Sequence, residues 1–373
     1  MKSSMLKIRD GLTDTKVVAP AFGILLFLLG LWGCLTVFSA TSYGESPFFY
    51  SGRQFLWLMI SMFIFWKASQ IRFDLYFRNA PLAAFVFYIP LVLVLFKGVS
   101  VNGMRGWFDI GLFYIQPSEI AKPFYVMLLC HLNANNSGRR RLVLMFGALV
   151  AWLVPIALEP DWGTAFIYIA GFILVFMIGG GRIAFILAGI MVVIIAGYVA
   201  ISTEPYIMRR ISGFLDPSAD PGGAGWHILQ FKYAIARGGV DGVGLGKSLW
   251  SNTFLPLAYS DSSFAALAES VGLIGTFPVI AGFIIFFFSS FHLSTRDIAE
   301  ERKLFIVSMI SMIVFQAFIH ISVNLGLIPP TGVTLPLLSY GGSSLFSTMM
   351  AAGMIISAAN METSEVKLKY IRT

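Results

Sequence analysis

A polar, glycine-rich stretch from Tyr206 to Gly272 interrupts a chain that is otherwise strongly apolar. It brings Arg210, Lys232 and other basic residues into the neighbourhood of Asp261. An aspartate beside basic groups has the chemistry of a general base acting on an anionic substrate, and guanidinium and ammonium groups suit a diphosphate. The simpler alternative is that Asp261 caps the helix that follows it. Both interpretations stay open from these residues alone.

A second pair of charged residues lies in the segment NGMRGWFDIGLFYIQPSEIAKPF, residues 102–124. Pro117 suits the first turn of a helix, where Glu119 would also complement the helix dipole. Lys122 follows Glu119 at a spacing of three, so both side chains share one helix face. Opposite charges at membrane depth are costly unless they pair and face the protein interior or a wet cavity. The spacing therefore favours a functional buried ion pair over a simple helix-start carboxylate.

Two further segments break the apolar pattern. EPDWGTA, residues 159–165, predicts a tight turn followed by a helix start, where Asp161 either caps the helix or lines a cavity. NLGLIPPTGVTLPLLSYGGSS, residues 324–344, contains prolines and glycines that forbid a continuous helix. Broken backbone at membrane depth is tolerated only where it is buried in protein or lines a cavity. This segment therefore predicts a site.

The composition indicates that membrane-spanning helices position the four polar segments described above. The 373 residues are 57% hydrophobic and 12% charged, with a mean hydropathy of +0.80. Such a chain is an all-α polytopic membrane protein, and its net charge of +7 indicates basic cytoplasmic loops, with no need for nucleic acid as a partner. A spanning helix needs roughly 20 apolar residues. The ten predicted spans are 17–40, 53–71, 79–97, 117–134, 141–158, 163–180, 182–202, 262–292, 304–325 and 337–360.

The distribution of lysine and arginine predicts the orientation of these spans. Basic residues cluster before the first span and in alternate loops, which places both termini in the cytoplasm. Residues 1–373 then form one transmembrane domain. The long segment 203–261, between the seventh and eighth spans, becomes a large extracytoplasmic loop. The membrane is predicted to be the bacterial cytoplasmic membrane.

Taken together, the four segments resemble the SEDS family of cell-wall proteins (shape, elongation, division and sporulation), which includes FtsW and RodA. The resemblance covers nearly the whole chain, and its last stretch is the most specific. The matching stretches are QPSEIAK (116–122), EPDWGTA (159–165), RRISGFLDP (209–217), QFKYAIARGGVDGVGLG (230–246) and LGLIPPTGVTLPLLSYGGSSL (325–345). YIMRRISGFLDP and GVGLGKS resemble the division branch, FtsW, whereas QFKYAIA resembles the elongation branch, RodA, and the balance favours the division branch.

The resemblance implies an inverting peptidoglycan glycosyltransferase. SEDS proteins polymerise lipid II, an undecaprenyl-diphosphate-linked disaccharide pentapeptide, on the outer face of the cytoplasmic membrane. By that resemblance Asp261 is the general base, and Arg210, Lys232, Arg105 and Ser339 bind the substrate diphosphate. A divalent cation, Mg²⁺ or Mn²⁺, is an optional cofactor. The residues expected to line the cavity are Asp161, Glu269, Pro329, Gly332, Tyr340, Gly341 and Gly342, beside the buried pair Glu119 and Lys122.

The resemblance also implies partners and leaves alternatives. The expected partners are lipid II, a class B penicillin-binding protein that cross-links the new glycan, other division or elongation machinery, and membrane lipid. A lipid II flippase is the main alternative, and a recruiting scaffold is a weaker one. One departure stands at the catalytic position, because Tyr259-Ser260-Asp261-Ser262-Ser263 replaces the usual family sequence HTDFI. Ser270 likewise replaces a second glutamate after Glu269.

Overall fold

In this computed structural model, the described residues are 15–101, 104–111, 113–187, 189, 191 and 205–360. Helices dominate them. The helices are α1 (Thr15–Ala40), α2 (Pro47–Gln70), α3 (Phe73–Arg78), α4 (Ala80–Lys97), α5 (Pro117–Asn135), α6 (Gly138–Leu158), α7 (Trp162–Ile178), α8 (Pro205–Leu215), α9 (Trp226–Gly238), α10 (Leu249–Thr253), α11 (Ser263–Ser294), α12 (Glu300–Asn324) and α13 (Gly342–Ala359).

Most of the predicted spans are confirmed by helix length and composition. Within the described residues, seven helices are long and apolar enough to cross a membrane: α1, α2, α4, α6, α11, α12 and α13. Helix α7 is apolar but shorter, and α5, which carries the predicted charged pair, is not among the seven. The predicted span 182–202 lies largely outside the described residues. The chain is a mostly helical, multi-pass membrane protein.

A small antiparallel sheet follows α4 and is the one departure from an all-α description in the described residues. Its strands are β1 (Val99–Val101), β2 (Met104–Asp109) and β3 (Tyr114–Ile115), in the order β1-β2-β3. The sequence analysis treated this segment only as a loop. Strands this short give almost no alternating pattern, so hydropathy alone does not reveal them.

Helix α13 lies at the centre of the bundle and packs most extensively against α2. It is buried along its whole length, from Gly342 to Ala359. Small residues make up much of this helix, and they let neighbouring backbones approach closely, which is how helices associate where lipid removes the hydrophobic driving force. The predicted span began at residue 337, but the helix begins at Gly342 because the preceding proline- and glycine-rich segment is not helical.

Helix α11 is broken inside its span at Gly272, whose backbone angles of φ 63° and ψ −166° are not helical. The segment after α9 lies against the break and supplies the hydrogen bonds that the helix loses there. Such substitution is what permits irregular backbone at membrane depth. The four bonds run from Val243 N to Glu269 O (3.0 Å), Gly244 N to Ser270 O (2.9 Å), Leu273 N to Gly239 O (3.0 Å) and Ile274 N to Val240 O (3.1 Å).

We expect Gly272→Ala to destabilise the fold at this junction. The φ of Gly272 lies where non-glycine residues are strained by about 1–3 kcal/mol, and an added Cβ would collide with the backbone of Val240 and Gly242. The apparent unfolding temperature in detergent should therefore fall. Gly147→Ala is the matched control, because a Cβ at this helical glycine meets nothing within 4 Å. Equal unfolding temperatures for the two variants would contradict this interpretation of the break.

Candidate active site

Five helices begin around one cavity at the end of the bundle where Asp261 lies. The cavity has a volume of about 380 Å³ and is lined by the first residues of α2, α5, α7 and α13, with Asp261 just before α11. The sheet contributes Met104, Trp107 and Tyr114 to one wall. Each helix start places the positive end of a helix dipole near the cavity, which favours an anion. Three carboxylates, that of Asp261 among them, also line it.

Asp261 is held between two loops. The amide of Asn324 donates to the backbone carbonyl of Asp261 at 3.1 Å, and an added Cβ on Gly332 would lie 3.7 Å from its carboxylate. Burial raises the pKa of Asp261 to about 6, with a smaller contribution from the charge of Asp161 and an opposing hydrogen bond from Ser260. Ser262, the residue after Asp261, occupies the N-cap position of α11, and no side chain makes a capping hydrogen bond there. The alternative that Asp261 is a simple cap is wrong.

Three polar side chains form a stripe along one face of α12 and contact two of the segments around the site. Gln316, His320 and Asn324 recur at a spacing of four, which places them one above another on the helix. Gln316 donates to the Thr334 carbonyl at 3.0 Å, and Asn324 accepts from the Ala265 amide at 3.0 Å. We call these three residues the α12 stripe. They join the broken 325–341 segment to the start of α11.

His320 connects both sides of this junction through a chain of buried hydroxyls. Its Nδ1 lies 2.7 Å from the Val333 carbonyl and its Nε2 lies 3.1 Å from Ser263 Oγ. Ser263 Oγ lies 2.7 Å from Ser339 Oγ, which donates to the Ser260 carbonyl at 2.8 Å. The Ser339 hydroxyl donates its hydrogen to the Ser260 carbonyl, so it can only accept from Ser263. If the His320 imidazole is neutral and donates through Nδ1, its Nε2 can also only accept. The single hydroxyl hydrogen of Ser263 can then be donated either to His320 or to Ser339. The chain therefore has two alternative hydrogen-bond arrangements next to Asp261.

The predicted ion pair in α5 is present and buried. Lys122 Nζ donates to Glu119 Oε1 at 2.6 Å and to Gln316 Oε1 at 2.9 Å, and the two charged residues are only 3% and 6% exposed. Glu119 lines the cavity and Lys122 lies behind it. Gln316 thus couples the α12 stripe to the ion pair.

The turn between α6 and α7 presents two buried carboxyl groups. Asp161 accepts from the Thr164 amide at 2.9 Å and from Gln116 Nε2 at 3.0 Å, so it both caps α7 and lines the cavity. Glu159 is fully buried, and neither of its carboxylate oxygens has a hydrogen-bond partner among the described residues. Burial, and then the charge of Asp161, raise the pKa of Glu159 to about 8. Burial therefore favours the protonated, neutral form of the Glu159 carboxyl group.

The structure brings together many of the residues predicted from sequence. The predicted residues that line the cavity are Asp261, Glu119, Asp161, Gly332, Tyr340, Gly341 and Gly342. Pro329 is half-buried in the same broken segment but does not line the cavity. Gly332 has a φ of 72°, which explains why a residue without Cβ stands beside Asp261.

Several of the residues predicted to bind diphosphate lie elsewhere. Ser339 is buried in the hydroxyl chain and does not line the cavity, so its predicted contact with the substrate is not supported by its position and stays a prediction. Arg105 is exposed on β2, and Lys232 is exposed on α9 beside Gly326; neither lines the cavity. Arg210 belongs to α8, but its side chain lies outside what the structure describes. The substrate-binding roles of these three basic residues stay predictions.

Glu269 is a further correction, because it lies buried beneath α10 and does not line the cavity. Its carboxylate accepts from the backbone N–H groups of Trp250 and Ser251 at 2.9 and 2.7 Å, and from the Ser251 hydroxyl. Arg237 of α9 lies 3.4 Å away through Nε. Glu269 therefore caps α10 and ties α9 and α10 to α11.

Arg53 is a cavity residue that the sequence analysis did not single out. It is the one Lys or Arg among the described residues that line the cavity. Its guanidinium lies over the rings of Phe49 and Phe113, with 5.2 and 5.4 Å to the ring centroids. The sequence did contain a sign of this role. A cationic residue in the first turns of an otherwise apolar helix must face a polar interior or the membrane surface.

Among the described residues, no three His, Cys, Asp or Glu side chains are grouped so that they could hold a metal ion. The divalent cation expected from the resemblance stays a prediction.

The comparison with known proteins decides the family. The family model described as a cell cycle protein, covering FtsW, RodA and SpoVE, matches residues 18–364. The chain belongs to the FtsW/RodA/SpoVE family. This confirms the SEDS resemblance.

Curated relatives and solved structures agree with that assignment. The stage V sporulation protein E of Bacillus subtilis is 33% identical over 350 residues, covering 90% of this chain and 95% of that protein. A probable peptidoglycan glycosyltransferase FtsW of Thioalkalivibrio sulfidiphilus is 34% identical and covers 90% of this chain and 88% of its own. RodA of Thermus thermophilus shares the fold with a TM-score of 0.67 at 22% identity, covering 91% of this chain and 95% of that one. A chain of a peptidoglycan synthase complex that coordinates polymerization and crosslinking gives a TM-score of 0.76 at 24% identity, covering 91% and 96%.

We expect Lys122→Met to destabilise the protein by about 3–5 kcal/mol, because it leaves the Glu119 carboxylate buried without its cation. The double variant Glu119→Gln with Lys122→Met removes both charges and should recover much of the lost unfolding temperature. Lys303→Met is the control, since the Lys303–Glu300 pair has the same spacing but an exposed carboxylate. A double variant no more stable than Lys122→Met would contradict a paired, buried arrangement.

Proposed function

We propose that this protein polymerises lipid II into glycan strands, with the Asp261 carboxylate as the general base. The coarser role, a peptidoglycan glycosyltransferase in cell-wall synthesis, comes from the family and from curated relatives that carry this name. One observation carries the finer proposal: a desolvated carboxylate stands in a cavity at which five helices begin. A base and an anion-binding environment then occupy the same small volume.

The proposed reaction is a single displacement at the donor sugar. Asp261 removes the proton from the 4-hydroxyl of the acceptor sugar, and that oxygen forms a bond to the anomeric carbon of the donor. The bond from that carbon to the phosphate oxygen breaks on the opposite face, which inverts the configuration. Undecaprenyl diphosphate departs with the electron pair, and the proton stays on Asp261 until it passes to solvent.

The leaving diphosphate gains negative charge, so groups that stabilise this charge lower the barrier. The helix starts around the cavity supply backbone N–H groups and positive dipole ends, an arrangement that favours phosphate. Arg53 adds a full positive charge at the cavity wall. We therefore add Arg53 to Arg210, Lys232 and Arg105 as a residue that neutralises the leaving group.

The raised pKa of Asp261 suits a general base. A carboxylate with a pKa of about 6 is mostly ionised at neutral pH and is a stronger base than an ordinary aspartate. The raised pKa lowers the stability of the fold. As the pH rises from the ordinary aspartate pKa of 3.8 to about 6, the unfolded chain ionises Asp261 more readily than the folded protein does, so the free energy of unfolding falls. A catalytic residue that weakens its own fold is typical of an active site.

We further infer the setting in which this reaction runs. The positive-inside pattern supports a bacterial cytoplasmic membrane with both termini inside and the cavity end outside. A class B penicillin-binding protein is the proposed partner, in division, elongation or sporulation. Lipid II transport, the alternative function, is less well supported, since the charged groups of the cavity gather at one end of the bundle.

We expect Asp261→Asn to abolish glycan polymer from labelled lipid II while the protein stays folded. The substitution removes a buried charge, so its unfolding temperature at pH 7.5 should equal or exceed that of the wild type. Purified protein with its transpeptidase partner and labelled lipid II, resolved on a gel, provides the measurement. Wild-type polymerisation should fall about tenfold per pH unit below about 6, where the carboxylate is lost.

Two results would contradict the proposal at different levels. Polymer from Asp261→Asn would remove the assigned base but leave the family activity. If wild-type protein made no polymer with partner and divalent cations supplied, lipid II movement across vesicles would be the activity to measure.

A further inference from the structure

A second cavity lies beside the first, on the other side of a wall of aromatic rings. Its volume is about 560 Å³, within the ~300–1,000 Å³ typical of ligand sites. It lies between the α1–α2 connection and the segment 251–259. The two cavities share the lining residues Phe49, Tyr50, Leu257 and Tyr259.

Three tyrosines form the wall. Tyr50 and Tyr259 stack with their ring centroids 5.0 Å apart and an interplanar angle of 15°. Tyr340 lies edge-on to both, at 5.4 and 5.6 Å. The backbone of Tyr340 also donates to the Tyr259 carbonyl at 2.7 Å. Because Tyr259 precedes Asp261 by two residues, one layer of rings separates the second cavity from the proposed base.

The lining of the second cavity has the chemistry of a neutral carbohydrate site. Aromatic faces stand beside hydroxyl and amide groups, including Thr41, Ser46 and Asn252. Among the described residues that line it, none is Lys or Arg, and Glu45 adds a negative charge. A diphosphate would be repelled there, whereas sugar rings offer apolar faces to aromatic side chains and hydroxyls to polar ones.

The cavity is also held in a fixed shape. The amide nitrogen of Asn252 donates to the carbonyls of Ser39 and Ser248 at 2.9 and 2.6 Å, and its oxygen accepts from the Tyr43 amide at 3.1 Å. These bonds tie the end of α1 to α10 across the cavity. A site ordered before its ligand arrives loses less entropy on binding.

We propose that this second cavity binds the sugars of the growing glycan strand next to the reacting sugar. The proposal rests on the glycosyltransferase function proposed above. An enzyme that adds many disaccharides to one strand must hold that strand between additions. The tyrosine wall then separates the compartment that holds Asp261 and Arg53, where the diphosphate would lie, from a compartment without Lys or Arg for the polymer.

Gly44→Trp tests this by filling the second cavity. A Cβ at Gly44 meets only the Thr41 carbonyl, at 3.4 Å, so a large side chain enters without a backbone collision. Gly52→Trp is the matched control, because a Cβ there meets nothing within 4 Å and Gly52 lines neither cavity. We expect Gly44→Trp to shift polymer from labelled lipid II severalfold towards short strands, and Gly52→Trp to match the wild type. Equal strand lengths for both variants would overturn the proposal.

A binding measurement separates this proposal from the glycosyltransferase assignment. Tetra-N-acetylchitotetraose, a neutral β-1,4-linked sugar, serves as the probe in ligand-observed NMR on detergent-solubilised protein. We expect it to bind wild type and Gly52→Trp, and to bind Gly44→Trp severalfold more weakly. If the wild type made no polymer but the probe bound as expected, the glycosyltransferase assignment would be contradicted and the sugar site would be supported. Absence of binding, or binding that Gly44→Trp leaves unchanged, would overturn the sugar site.

Discussion

Polar side chains inside an apolar helix must find partners, and the site depends on how the α12 stripe meets this requirement. Unpaired amide or imidazole groups in the bundle interior are costly. Gln316, His320 and Asn324 obtain their partners from backbone that is not in a helix, including the carbonyls of Thr334, Val333 and Asp261. The broken segments need hydrogen-bond partners for the same reason. The α12 stripe and the non-helical backbone therefore stabilise each other. The hydrogen bonds between them fix the position of Asp261.

Hydrogen bonding of this kind, between irregular backbone and groups on neighbouring helices, also explains how a membrane bundle can contain a reactive cavity. Where α11 breaks at Gly272, the backbone after α9 replaces the missing helical bonds, and Glu269 fixes α10 against the same place. Where five helices begin around the cavity, the positive ends of their dipoles favour an anion. Charges that would destabilise a lipid-facing helix are paired behind the cavity, as in Lys122 with Glu119 and Gln316.

Local pattern predicted the features that local physics determines. Hydropathy found the seven long spans, the spacing of Glu119 and Lys122 predicted their pairing, and the prolines and glycines of 324–344 predicted broken backbone. Features set by packing between distant segments were missed. Ser339 was assigned to the substrate diphosphate by resemblance to the family, yet its side chain turns into the hydroxyl chain. Arg53 was missed because its role appears only once α2 and the sheet close around the cavity.

The α12 stripe is tested most directly by the pH–rate profile of Asn324→Ala, measured with labelled lipid II on protein shown to be folded. Asn324 does not line the cavity and reaches Asp261 only through its backbone carbonyl. If the stripe positions the base, the maximal rate should fall by at least about tenfold, since small misplacements of reacting groups are costly. The apparent pKa of the acidic limb should also move from the wild-type value, with little change in KM. A folded variant with the wild-type rate and pH profile would show that Asp261 is positioned without the stripe.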